Sequence, residues 1–233
     1  MKNNFIINNN KHFNLPFAKF YGFNYDSEAF ILTEYLAGET LKNRIDTYKT
    51  DLVDKYNIEK KKILYGIIFD LNYLHERSII HREVKPGNIF LDKQWLPYIG
   101  DFGFSRIIKN ELKMTGDTGS LIYMAPEIMY EEEVEADFSV DIYSFAITFV
   151  HTLTGSLSLL VDGEKIYANL IEEENFINLV QDGERFTEID SVSENFKQCI
   201  KDCWDDDNSK RWKAPKIMKL IDQHNLSIHF YQL

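Results

Sequence analysis

Residues 79–103 read IIHREVKPGNIFLDKQWLPYIGDFG. Two polar clusters stand in this apolar stretch, His81-Arg82-Glu83-Val84-Lys85-Pro86-Gly87-Asn88 and Asp101-Phe102-Gly103. Taken singly, each has an ordinary structural account. Asp101-Phe102-Gly103 can be a turn after a strand, and His81 a core histidine with both ring nitrogens satisfied. Their chemistry suggests more. Asn88 and Asp101 are hard oxygen donors of the kind Mg²⁺ takes while keeping some of its waters. Lys85 and Glu83 add a cation and a carboxylate within the same loop.

The order and spacing of the two clusters resemble the catalytic loop (H-R-D-L-x-x-x-N) and metal loop (D-F-G) of eukaryotic protein kinases. The resemblance implies that Asp101 chelates Mg²⁺, that Asn88 holds a second metal, and that Lys85 touches the transferred phosphate. A lysine at that position is similar to the serine/threonine-directed branch. Glu83 departs from the pattern, standing where the family has its catalytic aspartate, and would take the substrate hydroxyl proton. Phosphoryl transfer asks a protein mainly for positioning and charge neutralisation, and these residue types supply both.

Working outward, the resemblance extends to residue 17 on one side and to the end of the chain on the other. Phe17–Phe23 and Ala29–Tyr35 read as two strands around the polar turn at residues 24–27. AFILTEYLAGETL resembles the last small-lobe strand and hinge. It implies Thr33 as gatekeeper, the backbone of Glu34 to Leu36 on the adenine edge, and Phe90 on the adenine floor. Thr40 is a fitting N-cap for a helix to about Tyr48. A longer helix is expected from Ile58 to Arg77, with Ile63, Ile67, Leu71 and Leu74 on one face.

Downstream of Gly103, the run Gly119-Ser120-Leu121-Ile122-Tyr123-Met124-Ala125-Pro126-Glu127 resembles the close of an activation segment. Thr115, Thr118 and Ser120 are its candidate phosphosites, and a phosphate there could pair with Arg82. Asp141-Ile142-Tyr143-Ser144-Phe145-Ala146 resembles the start of the central large-lobe helix, with Asp141 accepting from the catalytic-loop backbone. Cys203-Trp204 through Arg211 resembles the C-W-x(6)-R motif and implies a buried ion pair between Arg211 and Glu127. By this resemblance His81, Arg82, Phe102, Glu127, Asp141 and Arg211 are structural residues. The hinge, the K-P-G-N, the Y-M-A-P-E and the C-W motifs are most similar to the tyrosine-kinase-like group. Further helices are expected over Glu172–Gln181, from a Ser193 cap to about Trp204, and around Met218–Gln223.

Composition sets outer bounds. The chain has 233 residues, 44% of them hydrophobic and 14% aromatic, enough for one packed core rather than disorder. A formal net charge of −11 disfavours nucleic acid and anionic membrane as partners and leaves protein segments as substrate or docking partner. Residues 1–14 are Asn-rich and are expected to fray, with no apolar run long enough for a signal peptide. Residues 142–161 are largely uncharged, yet carry too many hydroxyls for a membrane span, and a buried helix ending at Gly155 fits better. Cys199 and Cys203 share a helix face without a second metal-binding half, as reduced thiols in a cytoplasmic protein.

The fold expected is α+β and protein-kinase-like. Residues 1–36 would hold a disordered N-terminus, a two-strand remnant of the small lobe and the hinge, and residues 37–233 a mostly helical large lobe. No G-x-G-x-x-G loop and no V-A-I-K lysine precede the hinge. Two functions follow. One is a serine/threonine protein kinase using ATP and Mg²⁺, impaired by Glu83 and the short small lobe. The other is a pseudokinase that keeps the large-lobe surface for docking partners. A fragment without function of its own is the third reading.

Overall fold

The computed structural model describes residues 17–18, 20–24, 30–36, 38–47, 58–107, 121–130 and 137–222. The candidate phosphosites Thr115, Thr118 and Ser120 lie outside them, as does the turn expected after Asn24. Within them the architecture is α+β: helices form the body, and the strands occur only in two-stranded sheets.

Strands β1 (Phe20–Asn24) and β2 (Phe30–Thr33) pair antiparallel, with an irregularity between Phe20 and Gly22. Helix α1 (Leu41–Thr47) follows, and Thr40 caps it by accepting the Asn43 N–H on Oγ1 at 3.2 Å. Helix α2 (Ile58–His75) buries Ile63, Leu64, Ile67, Ile68, Leu71 and Leu74, the 3.6-residue stripe of a helix with one face in the core. Short strands then frame the polar clusters: β3 (Ile79–Ile80) pairs with β6 (Arg106–Ile107), and β4 (Ile89–Leu91) with β5 (Pro97–Ile99).

Helix α3 (Pro126–Tyr130) precedes α4 (Ser139–Thr154), around which the body is built. Thirteen of the sixteen residues of α4 are buried, so it is covered on every side. Three of its buried hydroxyls are satisfied by backbone carbonyls: Ser144 donates to Val140, Thr152 to Thr148, and Thr148 to Val84 of the polar loop. This is how a stretch as apolar as residues 142–161 stays inside a protein. No described helix is long and apolar enough to cross a membrane. Gly155 ends α4 with φ +76°, its N–H bonded to the His151 carbonyl at 2.8 Å.

Strands β7 (Ser158–Val161) and β8 (Glu164–Tyr167) form a hairpin that the sequence reading did not include. Its cue was present: Asp162-Gly163 lies between the two runs, and both residues take positive φ, the requirement of a tight hairpin turn. Glu188, itself buried, ties the hairpin down by accepting from the Ser158 N–H at 2.8 Å and from Lys165 at 2.9 Å. Helices α5 (Glu173–Gln181), α6 (Glu194–Cys203) and α7 (Ala214–Asp222) complete the body. Cys199 and Cys203 are buried free thiols on α6, and burial pushes the Cys203 thiol well up.

One core residue breaks the apolar pattern of α2. Asp70 is fully buried; Oδ2 accepts the Ile99 N–H of β5 at 3.3 Å, and Oδ1 has no partner. Burial raises its pKa well above the ordinary carboxylate value. The folded state therefore binds a proton that the unfolded chain releases above about pH 3.9, so stability falls as pH rises from there towards the folded pKa. Asp70→Asn should raise the melting temperature at pH 7.5, and the gap to the wild type should close by about 1.4 kcal/mol per pH unit on acidification. Urea unfolding at several pH values measures this, and a gap independent of pH would contradict it.

Candidate active site

The polar loop begins with strained backbone. Arg82 has φ +71° and Asp101 has φ +58°, a left-handed conformation that non-glycine residues adopt only when their surroundings impose it. For Arg82 the constraint is Asp141, in the first turn of α4. The Asp141 carboxylate is fully buried. It accepts the His81 N–H on Oδ2 at 2.9 Å and the Arg82 N–H on Oδ1 at 2.7 Å. Its Oδ2 also lies 2.9 Å from His75 Nε2 at the end of α2. One carboxylate thus joins α2, α4 and the loop.

His81 performs the next step. Its fully buried ring has Nε2 at 2.9 Å from the Gly100 carbonyl, while Nδ1 accepts the Glu83 N–H at 3.3 Å. Those two bonds require a neutral ring with the proton on Nε2, and burial lowers its pKa accordingly. The imidazole therefore spans the two polar clusters. A second bridge is the Gly100 N–H, which donates to the Asn88 carbonyl at 2.8 Å. Asn88 and Asp101 are in this way held at adjacent ends of the β4–β5 pair. A side chain at residue 100 would meet the Phe90 ring at 2.7 Å, so a larger residue there would push that ring aside.

Three candidate catalytic residues converge. Lys85 Nζ donates to Glu83 Oε1 at 2.5 Å, and Asn88 Nδ2 donates to Glu83 Oε2 at 3.1 Å and to the Glu83 carbonyl at 3.0 Å. Both oxygens of the Glu83 carboxylate are therefore occupied by neighbours in its own loop. Since Nδ2 of Asn88 serves Glu83, the amide oxygen is the Asn88 atom that a cation could take. Among the described residues the exposed Asp101 accepts the Gly103 N–H on Oδ1, at 3.3 Å. Among the described residues no cluster of three histidine, cysteine or acidic side chains could hold a metal by itself. An amide and one carboxylate do suit a cation that takes its remaining ligands from phosphate and water.

Other candidates are more dispersed. Thr33 and Glu34 are exposed, Leu36 is half-buried, and Phe90 is 38% exposed. The segment after them is anchored to the site by a contact that the sequence reading did not single out. At Gly38 a Cβ would lie 1.7 Å from the Leu91 carbonyl oxygen. Only glycine lets Glu39 accept the Leu91 N–H at 2.9 Å and Thr40 pair with Phe90. Arg82 leaves its Nε buried without a partner. Burial first, and then the nearby Arg106, lower its pKa. Arg211 meets Glu127 in a two-pronged pair at 2.6 and 2.8 Å, and also donates to the carbonyls of Asp205 and Ser139. A cavity of about 550 Å³ opens beside Lys85 and Gly87, between α1, the end of α4 and the β8 side of the hairpin. On its wall the Tyr123 hydroxyl lies 2.8 Å from His151 Nδ1.

A model described as the protein kinase domain matches residues 5–221. Serine/threonine-protein kinase STY17 of Arabidopsis thaliana is 28% identical over 162 residues, which are 70% of this chain and 27% of that protein. Mitogen-activated protein kinase kinase 9 of the same plant is 31% identical over 196 residues, 82% of this chain and 59% of its own length. Serine/threonine-protein kinase VIK, also from Arabidopsis thaliana, is 31% identical over 207 residues, 83% of this chain and 43% of its own. The chain spans between about a quarter and three-fifths of the length of these relatives.

The dependence of the loop on Asp141 can be measured. Asp141→Ala strands two buried backbone N–H groups, each costing about 1–3 kcal/mol, and releases the left-handed turn at Arg82. Urea unfolding should show a loss of at least about 2 kcal/mol. Amide hydrogen exchange should show residues 81–84 losing protection ahead of α6. Uniform loss across both regions would mean that Asp141 supports the fold without holding the loop in particular.

Proposed function

The chain belongs to the protein kinase family, and from that premise we propose that its large lobe binds Mg-ATP at the corner formed by Asn88 and Asp101 and transfers phosphate to serine or threonine hydroxyls of proteins at an impaired rate. The observation that carries this reading is the double engagement of Glu83 by Lys85 and Asn88. When bound, Mg-ATP supplies the γ-phosphoryl group and a cation that neutralises its developing charge. Asp101 and Asn88 hold that cation through a carboxylate and an amide oxygen. Lys85 places its charge beside the phosphoryl oxygens. Thr33, the backbone of Glu34 to Leu36, and Phe90 form the adenine side.

Glu83 accepts the proton of the incoming hydroxyl, and here the impairment arises. A glutamate carries its carboxylate about 1 Å further from the backbone than an aspartate, and a misplacement of that size costs about 10²-fold in rate. The side chain reaches the Asn88 amide as well as Lys85, so an incoming hydroxyl shares the carboxylate with two donors that draw on its basicity. The substrate is a protein segment laid along the cavity beside Lys85 and Gly87. A phosphate on Thr115, Thr118 or Ser120 would meet Arg82 and Arg106, whose mutual repulsion an added dianion relieves. The division into a small-lobe remnant and hinge up to residue 36 and a large lobe from residue 37 belongs to the same reading.

A second reading, a docking module without transfer, is favoured by large apolar side chains left exposed. Tyr35 is 87% exposed, Leu32 50%, Phe102 42% and Phe104 41%, side chains of the kind that a partner covers.

The two readings separate in one experiment. Millimolar Mg-ATP should raise the thermal midpoint in a metal-dependent way, by as much as about 2.7 kcal/mol of stabilisation at a hundred times the dissociation constant, and Asp101→Ala should abolish the rise. Glu83→Asp should increase phosphotransfer to a generic protein substrate by at least about 10-fold. A cooperative melt unmoved by Mg-ATP would overturn nucleotide binding and leave the docking module in its place.

A further inference from the structure

The hairpin β7–β8 carries a strip of apolar side chains that leads out of the cavity beside Lys85. Ser158 pairs with Tyr167 and Leu160 with Lys165. Leu160 and Tyr167 are therefore diagonal neighbours on one face of the hairpin, a spacing that side chains of their size can bridge. Leu160 is 44% exposed and Tyr167 54%. Just past the second strand, Leu170 is 69% exposed. Tyr167 and Leu170 both line the cavity, together with Ile122, Leu157 and Ala168. The strip has a firm base. Leu159 is fully buried, Glu188 accepts from the Ser158 N–H and from Lys165, and the Ala168 N–H donates to the Leu157 carbonyl at 2.9 Å.

Acidic residues stand at both ends of the strip. Asp162 and Glu164 are exposed at the hairpin turn. Glu172, Glu173 and Glu174 are exposed at the start of α5, with only Ile171 between them and Leu170. Among the described residues none of these five carboxylates has an ion-pair partner. Lys165, which lies between the two groups, is engaged by Glu188.

We propose that this hairpin is a docking element for the substrate protein, taking two large apolar side chains of a segment that carries lysine or arginine on both sides of them. The inference rests on the reading that a protein segment lies along the cavity. One apolar side chain enters the cavity against Tyr167 and Leu170, and the other covers Leu160. Because the strip is already fixed to the body, little ordering of the protein opposes binding. The acidic ends attract basic flanks and reject acidic ones, which sets the choice of partner. The hairpin lies outside the loop that holds Glu83 and Asn88, so it contributes affinity and selection and leaves the phosphoryl step to that loop.

The test is the fluorescence anisotropy of labelled peptides on the full chain, without nucleotide. The first peptide has two leucines with arginines on either side. A second replaces the leucines by serines, and a third replaces the arginines by glutamates. The first should bind, and the other two should bind at least about 10-fold more weakly, the size expected when a buried apolar contact or a charge match is lost. Tyr167→Ala and Leu170→Ser, both at exposed positions, should leave the melting temperature in place and weaken the first peptide at least about 10-fold. Glu173→Lys combined with Glu174→Lys should weaken the arginine peptide and strengthen the glutamate peptide, an exchange that plain destabilisation does not produce. Leu32→Ser, on strand β2, should leave binding unchanged. Equal binding of the three peptides, no binding of the first at millimolar concentration, or binding that survives both Tyr167→Ala and Leu170→Ser would overturn the proposal. So would binding lost in Leu32→Ser alone, which would put the segment on β2. Mg-ATP takes no part in these measurements. A chain that binds the first peptide through the hairpin but shows no response to Mg-ATP would refute phosphate transfer and retain the docking element.

Discussion

A single buried carboxylate, Asp141, governs the geometry of everything that carries chemistry in this molecule. It stands in the first turn of the most enclosed helix and accepts from two consecutive backbone N–H groups of the loop. Such an acceptor in a dry interior is worth far more than the same group in water, because the alternative for each donor is no partner at all. The left-handed backbone at Arg82 follows, as does the direction in which His81 enters the core. From His81 the constraint passes to Gly100 and Phe102, which flank Asp101 on both sides.

The loop thus built is rigid where it meets the body and adjustable where it meets solvent. Val84, Pro86 and Ile89 are buried, and Thr148 of α4 donates to the Val84 carbonyl. Glu83, Lys85 and Asn88, by contrast, satisfy one another. A carboxylate bound in this way is stabilised in its resting position by both partners. The position is a local conflict between length and reach, and such conflicts concentrate at sites that act on other molecules.

Much of this was legible in the sequence. The long helices announced themselves by apolar spacing, as in Ile63, Ile67, Leu71 and Leu74, and by punctuation such as Thr40 and Gly155. The pairings of Asp141 with the loop and of Arg211 with Glu127 were expected from motif resemblance, which carries information about contacts across sixty to eighty residues that periodicity cannot supply. The hairpin at Ser158–Tyr167 was missed although Asp162-Gly163 marked it, because LSLLV follows α4 so closely that it reads as the tail of one apolar run. Asp70 gave no warning either: a polar residue within a helical stripe looks like an edge position until its neighbours are known.

The sequence by itself determined the α+β class, the family and the identity of the polar residues that meet at Glu83 and Asp101. These are properties of residue type and spacing, which the chain carries whatever its conformation. Tertiary structure alone decided that Lys85 and Asn88 close upon Glu83, that Gly38 admits the Leu91 backbone and Gly100 the Phe90 ring, and that Phe17 stands against Phe102. Each of these depends on how backbone and side chains are set in space, within one loop at Glu83 and between distant segments elsewhere. Such quantities are set by how the helices and strands pack, and the order of residues does not contain them.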